Sequence, residues 1–252
     1  MSSWAVVTGA SGGLGEAYAR ELASQGSDVV LVARSADKLE RLAAELSARH
    51  GVETLVLPCD LSDHRARSAL LESLKDQSIH TLVNNAGFGS MGLLADLGRQ
   101  RITDEVEVNV VALTELTHAV LPRMLAYGRG AIINVASTAA FQPLPKMATY
   151  AATKSFVLSF TCGLWGELRG TGVRAVCICP GPTDTSFFEN AGDATVMKQR
   201  RRPEQVVATT FAGLRADKPY VVDGPGNTML SVAARFVPTR LLVRVAGRIA
   251  TR

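Results

Sequence analysis

A chain of 252 residues, 47% hydrophobic and 20% charged, is long enough to bury a substantial core as one large domain or two small ones. The net charge of +4 is unevenly placed: residues 229–252 carry five arginines and no acid, leaving the remainder at −1. No aromatic-rich basic surface accompanies that charge, so no nucleic-acid partner is expected, and four cysteines with four scattered histidines show neither disulfide nor metal-ligand spacing.

"MSSWAVVTGASGG" runs almost directly into an apolar strand, and no uncharged apolar run approaches the roughly 18 residues of a spanning helix. A soluble, cytoplasmic protein is the expectation. Short β-branched runs predict strands at "WAVVT" (4–8), "DVVLV" (28–32), "ETLVL" (53–57), "HTLVN" (80–84), "GAIINV" (130–135), "RAVCIC" (174–179) and "YVVD" (220–223). Helical periodicity fills the gaps; Leu39, Leu42, Ala43 and Leu46 form one stripe, with Gly51 as its stop. Continuously apolar strands indicate burial on both faces, as in a parallel sheet covered by helices. The pattern predicts one doubly wound α/β domain over 1–237, with 238–252 as a basic amphipathic extension of it.

Between the first strand and its helix lies "TGASGGLG", in which Gly9, Ser11, Gly12, Gly13, Leu14 and Gly15 form a turn. Glycines there let backbone N–H groups approach a phosphate, aided by the helix N-terminus. About twenty residues further on, where a carboxylate would hold an NAD ribose, stand Ala33 and Arg34. A guanidinium in place of an acid suits a 2′-phosphate, so NADP(H) is preferred over NAD(H). Asp60 and Leu61, then Asn85, Ala86 and Gly87, follow the third and fourth strands on the same sheet edge, where a dinucleotide would lie. In "TYAATKSF", Tyr150 and Lys154 are four residues apart and would share one helical face.

Together with Asn109 in "VEVNVVAL", Ser137 in "NVASTAA" and "PGPTDT" at 180–185, these pieces resemble the short-chain dehydrogenase/reductase family over nearly the whole chain. The resemblance implies a Rossmann-type sheet of about seven strands, oxidoreductase activity on alcohols or carbonyls, and a homodimer or homotetramer through helices including 104–127 and 149–168. It further implies Tyr150 as general acid/base and Lys154 as the ammonium that favours the phenolate and bonds the nicotinamide ribose. Ser137 would bind the substrate oxygen, and Asn109 would anchor a relay water. Pro180, Gly181, Thr183 and Thr185 would meet the nicotinamide end. The rival reading is a nucleotide-binding scaffold or sensor that has lost turnover.

Phe187, Phe188 and Met197 are expected to line an apolar substrate pocket, with "FGSMGLL" and "FQPLPKM" as further walls. "KQRRR" at 198–202 reads as a solvated charge run, with capture of an acidic substrate group as the alternative. In the tail, Arg240, Arg244 and Arg248 share a helical edge away from Leu241, Leu242, Val245, Ala246 and Ile249. That helix packs on its own subunit or a twin, or else attaches to anionic lipid.

Overall fold

In the computed structural model, residues 3–185, 200–234 and 236–249 are described. Seven strands form one fully parallel sheet in the order β3-β2-β1-β4-β5-β6-β7. They are β1 (Trp4–Thr8), β2 (Asp28–Ala33), β3 (Thr54–Pro58), β4 (Ile79–Asn84), β5 (Gly130–Val135), β6 (Val173–Cys179) and β7 (Tyr220–Val222). Every predicted strand is present, shifted by at most one residue at an end.

Two-sided burial follows from alternation along the strands. Ala5, Val7, Val29 and Leu31 face a layer made by α1 (Gly13–Ser24), α2 (Ala36–His50) and α7 (Pro203–Arg215). Their neighbours Val6, Val30 and Val32 face α3 (His64–Leu74), α5 (Leu113–Tyr127) and α6 (Ala148–Glu167). Cys177 and Cys179 lie fully buried on one face of β6, and among the described residues no cysteine is joined in a disulfide. Gly51, at φ +67°, ends α2 in the left-handed conformation the stripe anticipates. Asp63 caps α3 through bonds from Arg65 N and Ala66 N.

Strand order reverses between β1 and β4, so the crevice for a ligand opens at the carboxyl ends of those two strands. Helix α4 (Arg99–Val106) continues into a π-helical segment, Glu107–Ala112, before α5. Such wide turns are uncommon and concentrate at functional sites. Helices α8 (Pro225–Ala234) and α9 (Thr239–Ile249) close the chain. Among the described residues, no helix is long and apolar enough to cross a membrane.

Candidate active site

A cavity of about 1080 Å³ runs along the strand ends, room for a dinucleotide with a substrate beside it. Ser11, Gly12, Leu14, Arg34, Asp60, Leu61, Asn85, Ala86 and Gly87 line one part. Ser137, Tyr150, Lys154, Pro180, Gly181, Thr183 and Thr185 line another. Gly9 and Gly13 also border it, both with positive φ (+67° and +57°). Gly15 is not on the cavity surface; a Cβ there would come within 2.1 Å of the Gly9 carbonyl oxygen. Its glycine keeps α1 tight against the turn. No side chain caps α1, so its first N–H groups point at the cavity edge.

Asn85 is a staple for this turn. Its Nδ2 donates to Thr8 O at 2.9 Å, while Asn85 N and Ala86 N both donate to Thr8 Oγ1 at 3.0 Å. At the other end of the groove, Arg34 is exposed, and Ser35 and Lys38 join it on the wall. Lys38 lay outside the sequence expectation; its place in the first turn of α2, four residues after Arg34, was the available signal. Burial pushes the Asp60 carboxyl up, but bonds from Ser62 and the field of Arg34 outweigh it and hold the group below its ordinary value. A glycine cradle, an open helix end and an exposed cation therefore fit a phosphorylated dinucleotide.

Tyr150 sits in the first turn of α6, 7% exposed, and Lys154 one turn further on, 4% exposed. Lys154 Nζ donates to Val135 O at 2.8 Å and lies 5.8 Å from the Tyr150 ring centroid. Burial pushes the Tyr150 phenol up to about 12; the side-chain hydrogen bond with Ser137 draws it down and Glu105 pushes it up. Burial pulls the Lys154 ammonium down to about 8. In the protein by itself, the hydrogen bond with Ser137 is what draws the phenol down; the field of Lys154 joined to that of an oxidised nicotinamide is the expectation for the loaded site.

Asn109 lies on the π segment, 1% exposed and behind the cavity wall. Its Nδ2 donates to Phe88 O at 2.9 Å and Thr153 Oγ1 at 3.0 Å, and its Oδ1 accepts from Phe88 N at 3.1 Å. Both amide hydrogens are spent, so its side chain holds protein first; a relay water would have to use what remains.

Sequence reading missed Glu105. Arg101, Glu105 and Asn109, at i, i+4 and i+8, hold consecutive parts of one loop. Arg101 donates to Gly89 O at 3.1 Å, Glu105 faces Ser90, and Asn109 grips Phe88. Gly89 lies against the Tyr150 ring, where a Cβ would come within 3.0 Å of Cδ2. Glu105 is fully buried and burial pushes its carboxyl up; neither of its oxygens nor the Ser90 hydroxyl makes a hydrogen bond of ordinary geometry.

Arg201 does not belong to a solvated run or a substrate clamp. Its Nε and Nη2 meet the buried Asp223 carboxylate at 2.9 and 3.0 Å, and its backbone pairs with Pro182 and Asp184. Phe187, Phe188, Met197 and Lys198 fall outside the described residues. Phe141, Leu144 and Met147 do line the cavity beside Ser137 and Tyr150, as the "FQPLPKM" wall requires.

The short chain dehydrogenase family profile matches residues 3–195. The very-long-chain 3-oxoacyl-CoA reductase of Anas platyrhynchos is 35% identical over 71% of this chain and 59% of its own length. The inactive hydroxysteroid dehydrogenase-like protein 1 of Homo sapiens is 33% identical over 73% of this chain and 57% of its own. The chain thus spans under two thirds of the length of these relatives. A solved short-chain dehydrogenase from Sphingobium yanoikuyae in complex with NADPH superimposes with a TM-score of 0.85 at 33% identity, covering 94% of this chain and 91% of that one.

Proposed function

Because this chain belongs to the short-chain dehydrogenase family, an oxidoreductase family that binds nicotinamide cofactors, we propose that it transfers hydride between NADP(H) and the carbonyl or secondary alcohol of an apolar, lipid-like substrate. The observation that carries this reading is the convergence of Ser137, Tyr150 and Lys154 on the cavity that the glycine turn also borders.

Gly13, Leu14 and the open end of α1 would hold the diphosphate, and Arg34 with Lys38 the 2′-phosphate. Lys154 would bond the nicotinamide ribose, and Pro180, Gly181, Thr183 and Thr185 would border the ring. When bound, the cofactor supplies or accepts the hydride. Tyr150 Oη then gives its proton to the substrate oxygen in reduction, or takes it in oxidation. Ser137 shares that oxygen through its hydroxyl and stabilises developing charge. Lys154, protonated at neutral pH in its depressed range, adds a positive field beside the phenol. Phe141, Leu144 and Met147 favour an apolar substrate and exclude water.

The rival reading, a nucleotide-binding scaffold without turnover, draws on the relative named as inactive. The retained Ser137, Tyr150, Lys154 and Asn109 favour the enzyme, since a binder has no use for a proton path. Assembly into a homodimer or homotetramer is part of the proposal, supported by exposed Leu125 and Tyr127 on α5 and Phe156 on α6. NADPH-dependent turnover of a panel of hydrophobic ketones tests the enzyme reading. Loss of turnover in Tyr150→Phe with NADPH affinity kept supports it; full activity in that variant, or no turnover of any ketone by the wild type, overturns it.

A further inference from the structure

Among the described residues, thirteen large hydrophobic side chains are exposed, and seven of them lie between Met229 and Val245. Met229, Leu230 and Val232 stand on α8, Phe236 (82% exposed) on the turn that follows, and Leu241 and Val245 one turn apart on α9. The same stretch carries three of the five arginines found between residues 229 and 252, and no acid. Arg240 and Arg244, also one turn apart, are exposed beside the apolar row.

Helix α9 spends only part of its apolar surface on its own subunit. Leu242 and Ala246 turn inward to line the cavity, and Gly247 approaches Pro145, where a Cβ would lie 3.5 Å from its Cγ. Leu230 and Val245 belong to both sets: they line the cavity and are exposed. The patch therefore borders the cavity mouth on the α8–α9 side.

We propose that the α8–α9 end docks on an anionic lipid surface with the cavity mouth against the bilayer. A second copy is a poor occupant, because two-fold pairing would bring two arginine-bearing patches together with no acid in either to offset the charge. An acidic protein would match the charge but leaves the aliphatic rows without purpose. An anionic membrane matches both: guanidinium groups meet headgroup phosphates while Leu241, Val245 and Phe236 enter the acyl boundary. An apolar substrate dissolved in the bilayer then reaches Tyr150 without crossing water; that consequence rests on the function proposed above, whereas the docking does not.

Co-sedimentation of the full chain with phosphatidylcholine vesicles, with and without phosphatidylserine, tests it. The wild type is expected to pellet with the phosphatidylserine vesicles and to release as salt rises. Arg240→Gln with Arg244→Gln should weaken binding about thirtyfold, at about fivefold per arginine near a charged surface. Phe236→Ser should also weaken it, and these variants should keep wild-type NADPH affinity and melting temperature. A wild type left in the supernatant, equal pelleting with neutral vesicles, or unchanged binding by the variants overturns the proposal. So does a Phe236→Ser chain that dissociates into smaller species on size exclusion while its lipid binding is unchanged. Lipid binding without ketone reduction would sink the proposed function and leave the docking intact.

Discussion

The ammonium of Lys154 is placed over the Tyr150 ring, 5.8 Å from its centroid, while its hydrogen bond goes to the Val135 carbonyl. No hydrogen bond to the phenol is formed by this ammonium in that arrangement; its bond is spent on the β5 carbonyl. The ammonium also carries a folding penalty, since burial lowers it to about 8 from 10.5.

Stability should show that penalty. Below pH 8 the folded protein must bury the charge; between pH 8 and 10.5 the unfolded chain binds more protons, so this contribution makes stability rise with pH. From pH 10 upward Tyr150, raised to about 12, opposes the gain, because the unfolded phenol ionises first. Lys154→Met should stabilise the cofactor-free protein by about 1–3 kcal/mol at pH 7. The gap should narrow by pH 10, as thermal unfolding across pH will measure, and turnover should fall at least about a hundredfold.

Glu105 predicts a trend of opposite sign. Its carboxyl is raised above 4.5, so the stability it allows is complete in acid and is lost as pH climbs through the folded value. Glu105→Gln keeps the shape without the charge. Chemical denaturation should find the variant more stable than wild type at pH 8 and equal to it near pH 4.5; the opposite order would show that the buried carboxylate is favourably paired.

Gly15→Ala should disrupt the turn that shapes the groove. With 2.1 Å between the new Cβ and Gly9 O, backbone must move, and neither side is a yielding side-chain tip. An unfolding loss of about 1–3 kcal/mol and a rise in NADPH Kd of at least about tenfold, the factor that some 1.4 kcal/mol represents, are expected by thermal melts and fluorescence titration.

Arg34→Ala separates the two cofactors. A charge-assisted bond to a 2′-phosphate contributes about 1.5–3 kcal/mol, so NADPH affinity should fall about 10- to 150-fold with NADH nearly unchanged. Isothermal titration with both nucleotides is the measurement; parallel losses would assign Arg34 a structural role instead.

Arg67 is buried beneath the same groove, donating to Leu61 O and Ser62 O while pairing with Glu107 of the π segment and Glu115 of α5. Arg67→Met should destabilise the fold by about 2–4 kcal/mol, less than a fully buried pair because both acids keep partial contact with water. Since "CDLS" loses its support, NADPH affinity should fall too, and titration at a temperature where the variant is folded separates the two effects.

The sheet was legible because its strands are mostly apolar and β-branched and each is followed within a few residues by a glycine, a proline or a polar turn. The site was legible because its residues lie close together in short motifs at strand ends. Other features depend on distances the sequence does not display. Arg201 and Asp223 meet only because β6 and β7 are neighbours, so "KQRRR" gave no sign that one arginine was committed. On α4, hydropathy inverts the truth: Glu105 is buried while Val106 is exposed, as the helix widens into the π segment. The spent amide of Asn109 likewise needed the loop at Phe88 to be in place.

The junction at Arg201 has a further meaning for how such a protein can change. Its main chain is sewn to Pro182 and Asp184, and its side chain to Asp223, so the turn after β6 and the end of β7 are tied together through one residue. A change at this single side chain is therefore felt on both sides of it, in the turn after β6 and at the end of β7.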